Sequence, residues 1–307
     1  MSSLREVAED YLRMRRSLGY KLEISRWQLE KFVTHLEQAE AATVTIENAL
    51  AWATSAGSDP SYWAQRLSVV RQFARHLQTI DPACEVPPAR LLPYRAPRAI
   101  PYLYEPEQIT ALMRAAGGLE PPLLAANYRT LIGLLAVSGL RLGEAIRLNR
   151  ADVDVRHGLL RILDSKFGKS REVVLHDTTM RALDEYARIR DRRFPQPRCE
   201  AFLLSLRGTR LRKNCVHDMF ARLVQVAGLK PRSPRCRPRP HDLRHAFAVR
   251  TLLEWYRDGV DVQARLPLLS TCMGHVNPAS TFWYLTAAPE LLGLVAQRLD
   301  ATMEGLA

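Results

Sequence analysis

The sequence predicts a mainly α-helical protein in two parts, with one small β-hairpin or sheet in the second part. Three observations support this fold class. Apolar residues recur at helical spacing along most of the chain. Residues 159–175 instead form two short alternating runs around a glycine-containing turn, which is typical of a β-hairpin. Residues 82–101 are rich in proline, and proline stiffens a linker between domains.

Four helical patterns fill the first 80 residues and predict a small helical bundle. Breaks that contain Gly, Thr or Pro separate them. We place this first domain at residues 1–92 and the linker at residues 93–104. The four patterns cover residues 4–18, 26–38, 46–56 and 62–80.

The second domain is expected at residues 105–307 and combines helices with the hairpin. Its second helical pattern is interrupted near Gly139, next to Arg141. The hairpin carries Lys166 and Lys169 at its tip. The helical patterns cover residues 105–116, 123–148, 179–193 and 214–227, and a further one begins at His241.

The composition excludes several classes of protein. The 307 residues suffice for two compact domains, and no run approaches the ~18 uncharged apolar residues of a membrane-spanning helix. The N-terminal segment is charged throughout and lacks an apolar signal, so we expect a cytoplasmic location. The five cysteines include no Cys-x-x-Cys pair, which argues against both a zinc ribbon and a disulfide framework.

The net charge of +12 is concentrated in the second part of the chain. Residues 1–92 hold 11 of the 44 Lys and Arg and 11 of the 32 Asp and Glu, which leaves 33 basic and 21 acidic residues. Residues 207–239 contain ten basic residues and one acid, Asp218. On composition alone, a phosphate-binding surface and a solvated loop are equal alternatives. The position of this run just before His241 favours nucleic acid.

Two arginines, three histidines and a tyrosine occur in short motifs that suit attack on a phosphodiester. A phosphodiester under attack gathers negative charge, and the forked donors of arginine stabilise that charge without a metal. A tyrosine phenol titrates near pH 10, so as a nucleophile it needs a nearby proton acceptor such as histidine. The motifs are Gly139-Leu140-Arg141-Leu142-Gly143-Glu144, His241-Asp242-Leu243-Arg244-His245, Met273-Gly274-His275 and the single residue Tyr284.

The second motif can place a proton acceptor and a phosphate-binding arginine on one helix. Arg244 and His245 follow His241 at three and four residues, so all three share one helical face. His241 is our candidate proton acceptor. The two histidines at this spacing suit zinc as an alternative, but Arg244 between them would repel a cation, and no Glu follows the first His. No metal site is therefore predicted.

In these motifs the sequence resembles the tyrosine recombinases, also called the phage integrase family. The four elements occur in the order of the family, and Tyr284 follows His275 by nine residues. The segment before Met273 and the Trp-Tyr-Leu at the tyrosine look most like recombinases of bacterial mobile elements. The resemblance implies an N-terminal SAM-like core-binding bundle that grips DNA and a mixed α/β catalytic domain.

The resemblance also implies a site-specific recombinase for integration, excision or transposition of a mobile element. Tyr284 is expected to attack the scissile phosphate and form a 3′-phosphotyrosine, while Arg141, Arg244 and His275 stabilise the charge. The covalent bond preserves the energy of the phosphodiester, so no cofactor is implied. The implied partners are double-stranded DNA with inverted-repeat core sites, three further copies in a homotetramer, and other recombinases of the same element, at the bacterial nucleoid.

Three further residues are expected to have supporting roles, the first of them by the same resemblance. Lys166 in the hairpin is the expected acid for the leaving 5′ oxygen. Glu144 is expected to orient Arg141, with a plain surface ion pair as the alternative. His245 is expected to pack beside the catalytic residues.

Two features of the C-terminal third leave alternatives open. Pro267 lies within an apparently helical run and could bend the segment that carries His275. Residues 291–306 would dock on a neighbouring protomer or pack on their own domain as a terminal helix.

Basic residues in both domains are predicted to contact DNA. In the first domain, Arg66, Arg71 and Arg75 lie at helical spacing, and an ordinary solvated helix face is an equal alternative. The other predicted contacts are Arg95, Arg98, Lys169, Arg210, Arg212, Lys213, Arg235, Arg237 and Arg239.

Two other functions use the same residues. A type IB topoisomerase would perform this chemistry as a monomer and relax supercoils, but the two-domain layout and the segment after Tyr284 favour recombination. A DNA-binding accessory protein would keep the fold without the activity, but every expected catalytic residue is present.

Overall fold

The computed structural model describes residues 3–20, 22–57, 59–92, 99–165, 168–275, 277, 281, 282 and 284. The chain divides into two compact units, residues 1–98 and residues 99–307. Both are mainly helical, and the second also contains a small antiparallel sheet, so the predicted fold class is confirmed. None of the described helices combines the length and the apolar character that crossing a membrane requires.

Four helices form the described part of the first unit, and each predicted pattern corresponds to one of them. They are α1 (Leu4–Ser17), α2 (Glu23–Gln38), α3 (Ile46–Thr54) and α4 (Pro60–Leu77). Side-chain caps explain where three of them begin, because Ser3, Thr45 and Asp59 each accept a hydrogen bond from a backbone N–H of the first turn. Phe32 and Phe73 are fully buried in the apolar core of this unit.

Seven α-helices with defined bounds lie in the described part of the second unit, besides a 3₁₀ turn at Arg150–Asp152 and the helical residues Thr281, Phe282 and Tyr284. They are α5 (Pro106–Gly117), α6 (Pro122–Ser138), α7 (Leu142–Arg147), α8 (Asp177–Arg193), α9 (Lys213–Val226), α10 (Pro240–Arg257) and α11 (Val262–Met273). Helix α6 packs against α5, α8 and α10 and buries Leu131, Leu134 and Leu135. It therefore forms the centre of the unit, and its C-terminal end leads into the turn that carries Arg141.

Three short strands form an antiparallel sheet in the order β1, β2, β3. They are β1 (Val153–Asp154), β2 (Leu159–Ile162) and β3 (Arg171–Val174). The predicted hairpin is the pair β2 and β3, in which Leu160 lies opposite Val173. Leu160 and Ile162 are buried and Arg161 between them is exposed, as the alternating pattern requires. Strand β1 was not predicted, because two residues are too few to show a period.

The end of the predicted linker packs on the second unit. Tyr102 and Tyr104 are 2% and 5% exposed and belong to the core of that unit. The backbone N–H of Ile100 donates to the carbonyl oxygen of Arg235, and the Tyr104 hydroxyl donates to that of Arg239. Residues 99–104 are therefore grouped with the second unit in this structure. The boundaries and the DNA-gripping role of the first domain stay predictions.

Candidate active site

The turn between α6 and α7 places Arg141. Helix α6 ends at Ser138, and Gly139 adopts a φ of 61°, which L side chains rarely adopt. A Cβ atom on Gly139 would also lie 2.5 Å from Cδ1 of Phe247 in α10. Arg141 then serves as the N-cap residue of α7. Glycine is thus required here both by the backbone conformation and by the close approach of α10.

Glu144 is a buried carboxylate that joins two arginines. Its side chain is 1% exposed. Its Oε1 accepts a hydrogen bond from Nη1 of Arg141 at 2.7 Å, and its Oε2 accepts one from Nη2 of Arg171 at 2.8 Å. Burial raises the pKa of Glu144, but the hydrogen bonds from Arg171 and Arg141 outweigh burial and hold the pKa at about 2. The carboxylate is therefore ionised at neutral pH and in a position to orient Arg141.

Arg171, the first residue of β3, contacts the same cluster and was missed in the sequence. Its side chain is 8% exposed, and its Nε donates to the carbonyl oxygen of Cys272 at 2.7 Å. Its guanidinium lies against Gly274, where an added Cβ would be 2.6 Å from Nη1. Arg171 therefore connects the hairpin, Glu144 and the turn before His275. No linear signal distinguishes it from the exposed Arg161 on β2.

Arg244 in α10 holds three segments of the chain together. The residue is 2% exposed. Its Nη1 donates to the carbonyl oxygen of Gly139, and its Nη2 donates to that of Met273 at 2.7 Å. Burial lowers the pKa of Arg244 to about 10, while Tyr284, which hydrogen-bonds to it, raises the pKa. The guanidinium therefore stays charged at neutral pH, inside the fold and next to the predicted nucleophile.

The turn after α11 places His275. Helix α11 runs from Val262 to Met273 with Pro267 inside it, so the proline does not end the helix before His275. It ends at Gly274, with a φ of 64°, and the backbone N–H of His275 donates to the carbonyl oxygen of Ser270 at 2.9 Å. The glycine of the third motif therefore turns the chain back towards Arg244.

The His275 ring contacts both an arginine and a threonine. Nη2 of Arg244 lies 2.8 Å from Nε2 of His275, and Oγ1 of Thr281 lies 2.7 Å from Nδ1. Burial, followed by the charges of Arg244 and Arg141, lowers the pKa of His275 to about 4. The imidazole is therefore neutral at pH 7 in this structure. Thr281 was not noticed in the sequence.

Tyr284 lies among the other predicted catalytic residues. It is 3% exposed and packs in an apolar cluster with residues of α10 and α11. Its ring centroid is 5.4 Å from that of His245 and 5.9 Å from that of His275, and the His275 ring is nearly parallel to it at 19°. The chain's own Arg244, His245 and His275 therefore surround its own Tyr284.

His241 lies at the outer end of this row of rings. Its ring centroid is 4.8 Å from that of His245, at an angle of 90°. Although His241 is exposed, desolvation by the surrounding protein lowers its pKa to about 4, with further lowering by Arg244, Arg239 and Arg141. His241 is therefore a neutral imidazole at pH 7, the form that can accept a proton.

The model of the phage integrase family matches residues 103–290, which include every part of this site. The chain belongs to the phage integrase family. Its members are tyrosine recombinases, so this chain is an enzyme that cleaves and rejoins DNA in recombination or integration. The resemblance found in the sequence is thereby confirmed, and the recombinase is favoured over the topoisomerase and the accessory protein.

The similar proteins match this chain over most of its length. The putative integrase/recombinase y4rB of Sinorhizobium fredii is 42% identical over 313 residues, 99% of this chain and 99% of y4rB. The tyrosine recombinase XerD of Caulobacter vibrioides is 29% identical over 91% of this chain and 87% of its own. The solved structure of the Tn1549 transposon integrase with transposon right end DNA is 17% identical with a TM-score of 0.63, covering 96% of this chain and 99% of that one.

Four arginines predicted to face DNA are used by this recombinase to hold its own fold. Arg66 is 6% exposed and stacks on the Trp52 ring, with its Cζ 3.8 Å from the ring centroid. Arg71 donates to the carbonyl oxygens of Pro87 and Pro88, both at 2.8 Å. Both guanidinium groups therefore contact the protein itself, and DNA contact by these two arginines stays a prediction.

Two arginines of the second unit also contact the protein itself, and their DNA contacts likewise stay predictions. Arg210 donates from Nη1 to the carbonyl oxygen of Ile146 at 2.8 Å and from Nη2 to Oδ1 of Asn149 at 2.6 Å. Arg239 donates from Nε and Nη2 to the fully buried Asp242 at 3.0 and 2.8 Å. Burial raises the pKa of Asp242, and Arg239 opposes that rise. Both arginines therefore support loops and the start of α10.

The remaining predicted residues fall into two groups. Six basic residues are exposed and stay predicted DNA contacts: Arg75, Lys169, Arg212, Lys213, Arg235 and Arg237. Lys166, Arg95, Arg98 and the tail at residues 291–306 lie outside the described residues. Within the described part of the chain, no three His, Cys, Asp or Glu side chains come together as metal ligands would.

Proposed function

We propose that this recombinase cuts DNA by direct attack of Tyr284 on the scissile phosphate. The phenolic oxygen forms a bond to phosphorus, the bond to the 5′ oxygen breaks, and a 3′-phosphotyrosine with a free 5′ hydroxyl results. The observation that carries the proposal is the position of Tyr284, which hydrogen-bonds to Arg244 and lies beside His245 and His275. These groups come from α10 and from the segment after α11.

Two arginines and a histidine are proposed to stabilise the charge on the phosphate. The non-bridging oxygens gain negative charge during the attack, and fixed guanidinium groups oppose that charge without reorganising. Arg141 and Arg244 donate to two consecutive backbone carbonyls of the third motif, those of Gly274 and Met273. A phosphate bound between them would take over hydrogen bonds that these arginines now make within the protein. His275 would add a third donor.

Proton transfer is proposed to involve His241 and Lys166. The phenol must lose its proton as the bond to phosphorus forms, and a neutral His241 can accept it. His245 lies between the rings of His241 and Tyr284 and would keep both in place. Lys166, assigned only by the resemblance, would donate a proton to the leaving 5′ oxygen. Rejoining reverses these transfers and needs neither ATP nor a cofactor.

The proposed substrate is double-stranded DNA with inverted-repeat core sites at the ends of a mobile element. The exposed basic residues of the second unit suit a polyanion, since they lie in the part of the chain that holds the whole charge excess. We further propose a homotetramer on DNA, joint action with other recombinases of the element, and a cytoplasmic location at the nucleoid. The 42% identity to the putative integrase/recombinase y4rB supports the role in integration or recombination.

The experiment is covalent capture by the full chain on a nicked duplex made from the DNA that flanks this reading frame. The wild-type protein is expected to form a protein–DNA adduct that survives SDS, because the nick lets the freed strand diffuse away and blocks rejoining. Tyr284→Phe is expected to abolish the adduct. Tyr256→Phe, a partly buried tyrosine packed on the same cluster, is the control and is expected to retain it. An SDS-resistant adduct with Tyr284→Phe would contradict the proposal.

A further inference from the structure

The hydrogen bonds of His275 define which ring nitrogen carries the proton. A guanidinium has donors only, so Nε2 of His275, 2.8 Å from Nη2 of Arg244, must be the acceptor in that contact. The proton of the neutral ring is then on Nδ1. Nδ1 lies 2.7 Å from Oγ1 of Thr281, so the ring donates to that hydroxyl.

This arrangement is the opposite of what phosphate binding by His275 requires. To donate a hydrogen bond to a phosphate oxygen, His275 needs a proton on Nε2. A neutral ring with a proton there has an unprotonated Nδ1, which then needs a donor instead of an acceptor. The group next to Nδ1 must therefore be able to change from a hydrogen-bond acceptor to a hydrogen-bond donor when DNA binds.

A threonine hydroxyl can make that reversal. It accepts through its lone pairs, donates through its O–H, and rotates about the Cβ–Oγ bond to do either. Thr281 is 1% exposed, so solvent does not replace its hydroxyl beside Nδ1. Thr281 and Tyr284, three positions apart, are both helical. One side chain thus contacts the phosphate-binding histidine and lies close in sequence to the nucleophile.

We propose that Thr281 is a positioning residue whose hydroxyl sets the tautomer of His275 and lets it change from an acceptor for Arg244 to a donor for the scissile phosphate. This inference rests on the proposed function of His275. In the DNA-free protein the Nδ1–H group donates to Thr281. When a phosphate draws Arg244 towards its own oxygens, the proton is on Nε2 and the Thr281 hydroxyl donates to Nδ1.

Three variants of the full chain separate the hydroxyl from the shape of the side chain. Thr281→Val keeps the shape without the hydroxyl, and Thr281→Ser keeps the hydroxyl. Thr271→Val is the matched control, because Thr271 is exposed and its hydroxyl donates to the carbonyl oxygen of Pro267 on its own helix. The readout is the rate of SDS-resistant adduct formation with the nicked duplex from the flanking DNA, and the affinity for that duplex.

We expect Thr281→Val to slow adduct formation about ten- to a hundredfold, the range found when outer hydrogen-bond partners of metal-bound histidines are removed. Its affinity for the duplex should stay within about threefold of wild type, because the phosphate contacts that dominate affinity remain. Thr281→Ser should restore most of the rate, and Thr271→Val should equal wild type. A purely structural role predicts instead that Thr281→Val forms adducts as fast as Thr271→Val once equal amounts of folded protein are compared, and this result would overturn the proposal.

A second measurement reads the tautomer directly and needs no DNA. In the full chain with ¹⁵N-labelled histidine, the His275 signals, assigned by their loss in His275→Gln, should show a protonated, hydrogen-bonded Nδ1 and an unprotonated Nε2. The protected Nδ1–H signal should be kept in Thr281→Ser and lost in Thr281→Val. A proton on Nε2 in the wild type, or an unchanged spectrum in Thr281→Val, would overturn the proposal. Failure of the wild type to form any adduct would instead refute the proposed function, and the spectra would still decide whether Thr281 sets the tautomer.

Discussion

At the scale of single residues, the site depends on one carboxylate shared by two arginines. Glu144 is almost fully covered and receives hydrogen bonds from both Arg141 and Arg171. Removing either arginine leaves the buried carboxylate with only one charged partner. This loss lowers the free energy of unfolding more than the loss of an exposed ion pair does. Arg171 does not reach Tyr284 by any described contact, so its contribution is to hold Glu144 and the turn at Gly274 in place.

We therefore expect Arg171→Ala to lower the free energy of unfolding by about 2 kcal/mol, because Glu144 keeps only Arg141 as a charged partner. The matched control is Arg161→Ala, on the neighbouring strand, whose exposed contacts with Asp154 and Glu172 contribute less than about 1 kcal/mol. Urea unfolding followed by circular dichroism measures both variants. Equal losses in the two would show that the cluster around Glu144 does not stabilise the unit.

The residue scale is also where the sequence analysis was least complete. Arginines were assigned to DNA by their charge and position, but an arginine also stacks on rings and bridges carbonyls inside a protein. Arg66 does the first and Arg210 the second. Conversely, Arg171 and Thr281 were missed because the role of each depends on a contact within the fold. Arg171 contacts Cys272, 101 positions further along the chain, and Thr281 contacts His275, six positions before it. A linear pattern does not contain those contacts.

At the scale of elements, the sequence predicted most of what the structure shows. Helical spacing and the breaks between the patterns predicted all four helices of the first bundle to within a few residues. The hairpin was predicted from alternation, since Leu160 and Ile162 face the core on one side of β2. The end of α6 was predicted only as a break. The break is needed because Phe247 approaches Gly139 closely, and this is a tertiary contact.

That contact leads to a prediction for the turn before Arg141. In Gly139→Ala the new methyl group would both strain a φ of 61° and collide with Phe247, and we expect a loss of about 2–4 kcal/mol in the free energy of unfolding. Gly228→Ala is the control, because Gly228 has a φ of 70° but no atom within 4 Å of the added Cβ. It should lose only about 1 kcal/mol. Urea unfolding of both variants gives the comparison.

Equal destabilisation of the two glycine variants would show that the left-handed backbone, and not the packing of α10, requires glycine at the end of α6. A larger loss in Gly139→Ala would support the packing argument. Because Arg244 donates to the carbonyl oxygen of Gly139, the same variant should also slow adduct formation.

At the scale of the whole molecule, the site is built from segments that are far apart in sequence. Arg244 of α10 joins the carbonyl oxygens of Gly139 and Met273, and Arg171 joins β3 to the turn at Gly274. The order of the motifs was sufficient to predict the family because each motif supplies a chemical group that phosphodiester cleavage needs. The order of the motifs did not predict which ion pairs and hydrogen bonds hold those groups in place, because these contacts join residues that only the fold brings together.

The central claim is that Tyr284 becomes joined to DNA. It is tested most directly by digesting the SDS-resistant adduct with protease and nuclease and identifying the modified peptide by mass spectrometry. We predict a single peptide that contains Tyr284 linked through its phenolic oxygen to a 3′-nucleotide phosphate, together with a free 5′ hydroxyl on the other strand end. A 5′-linked phosphate, or a nucleotide on any other residue, would contradict the account.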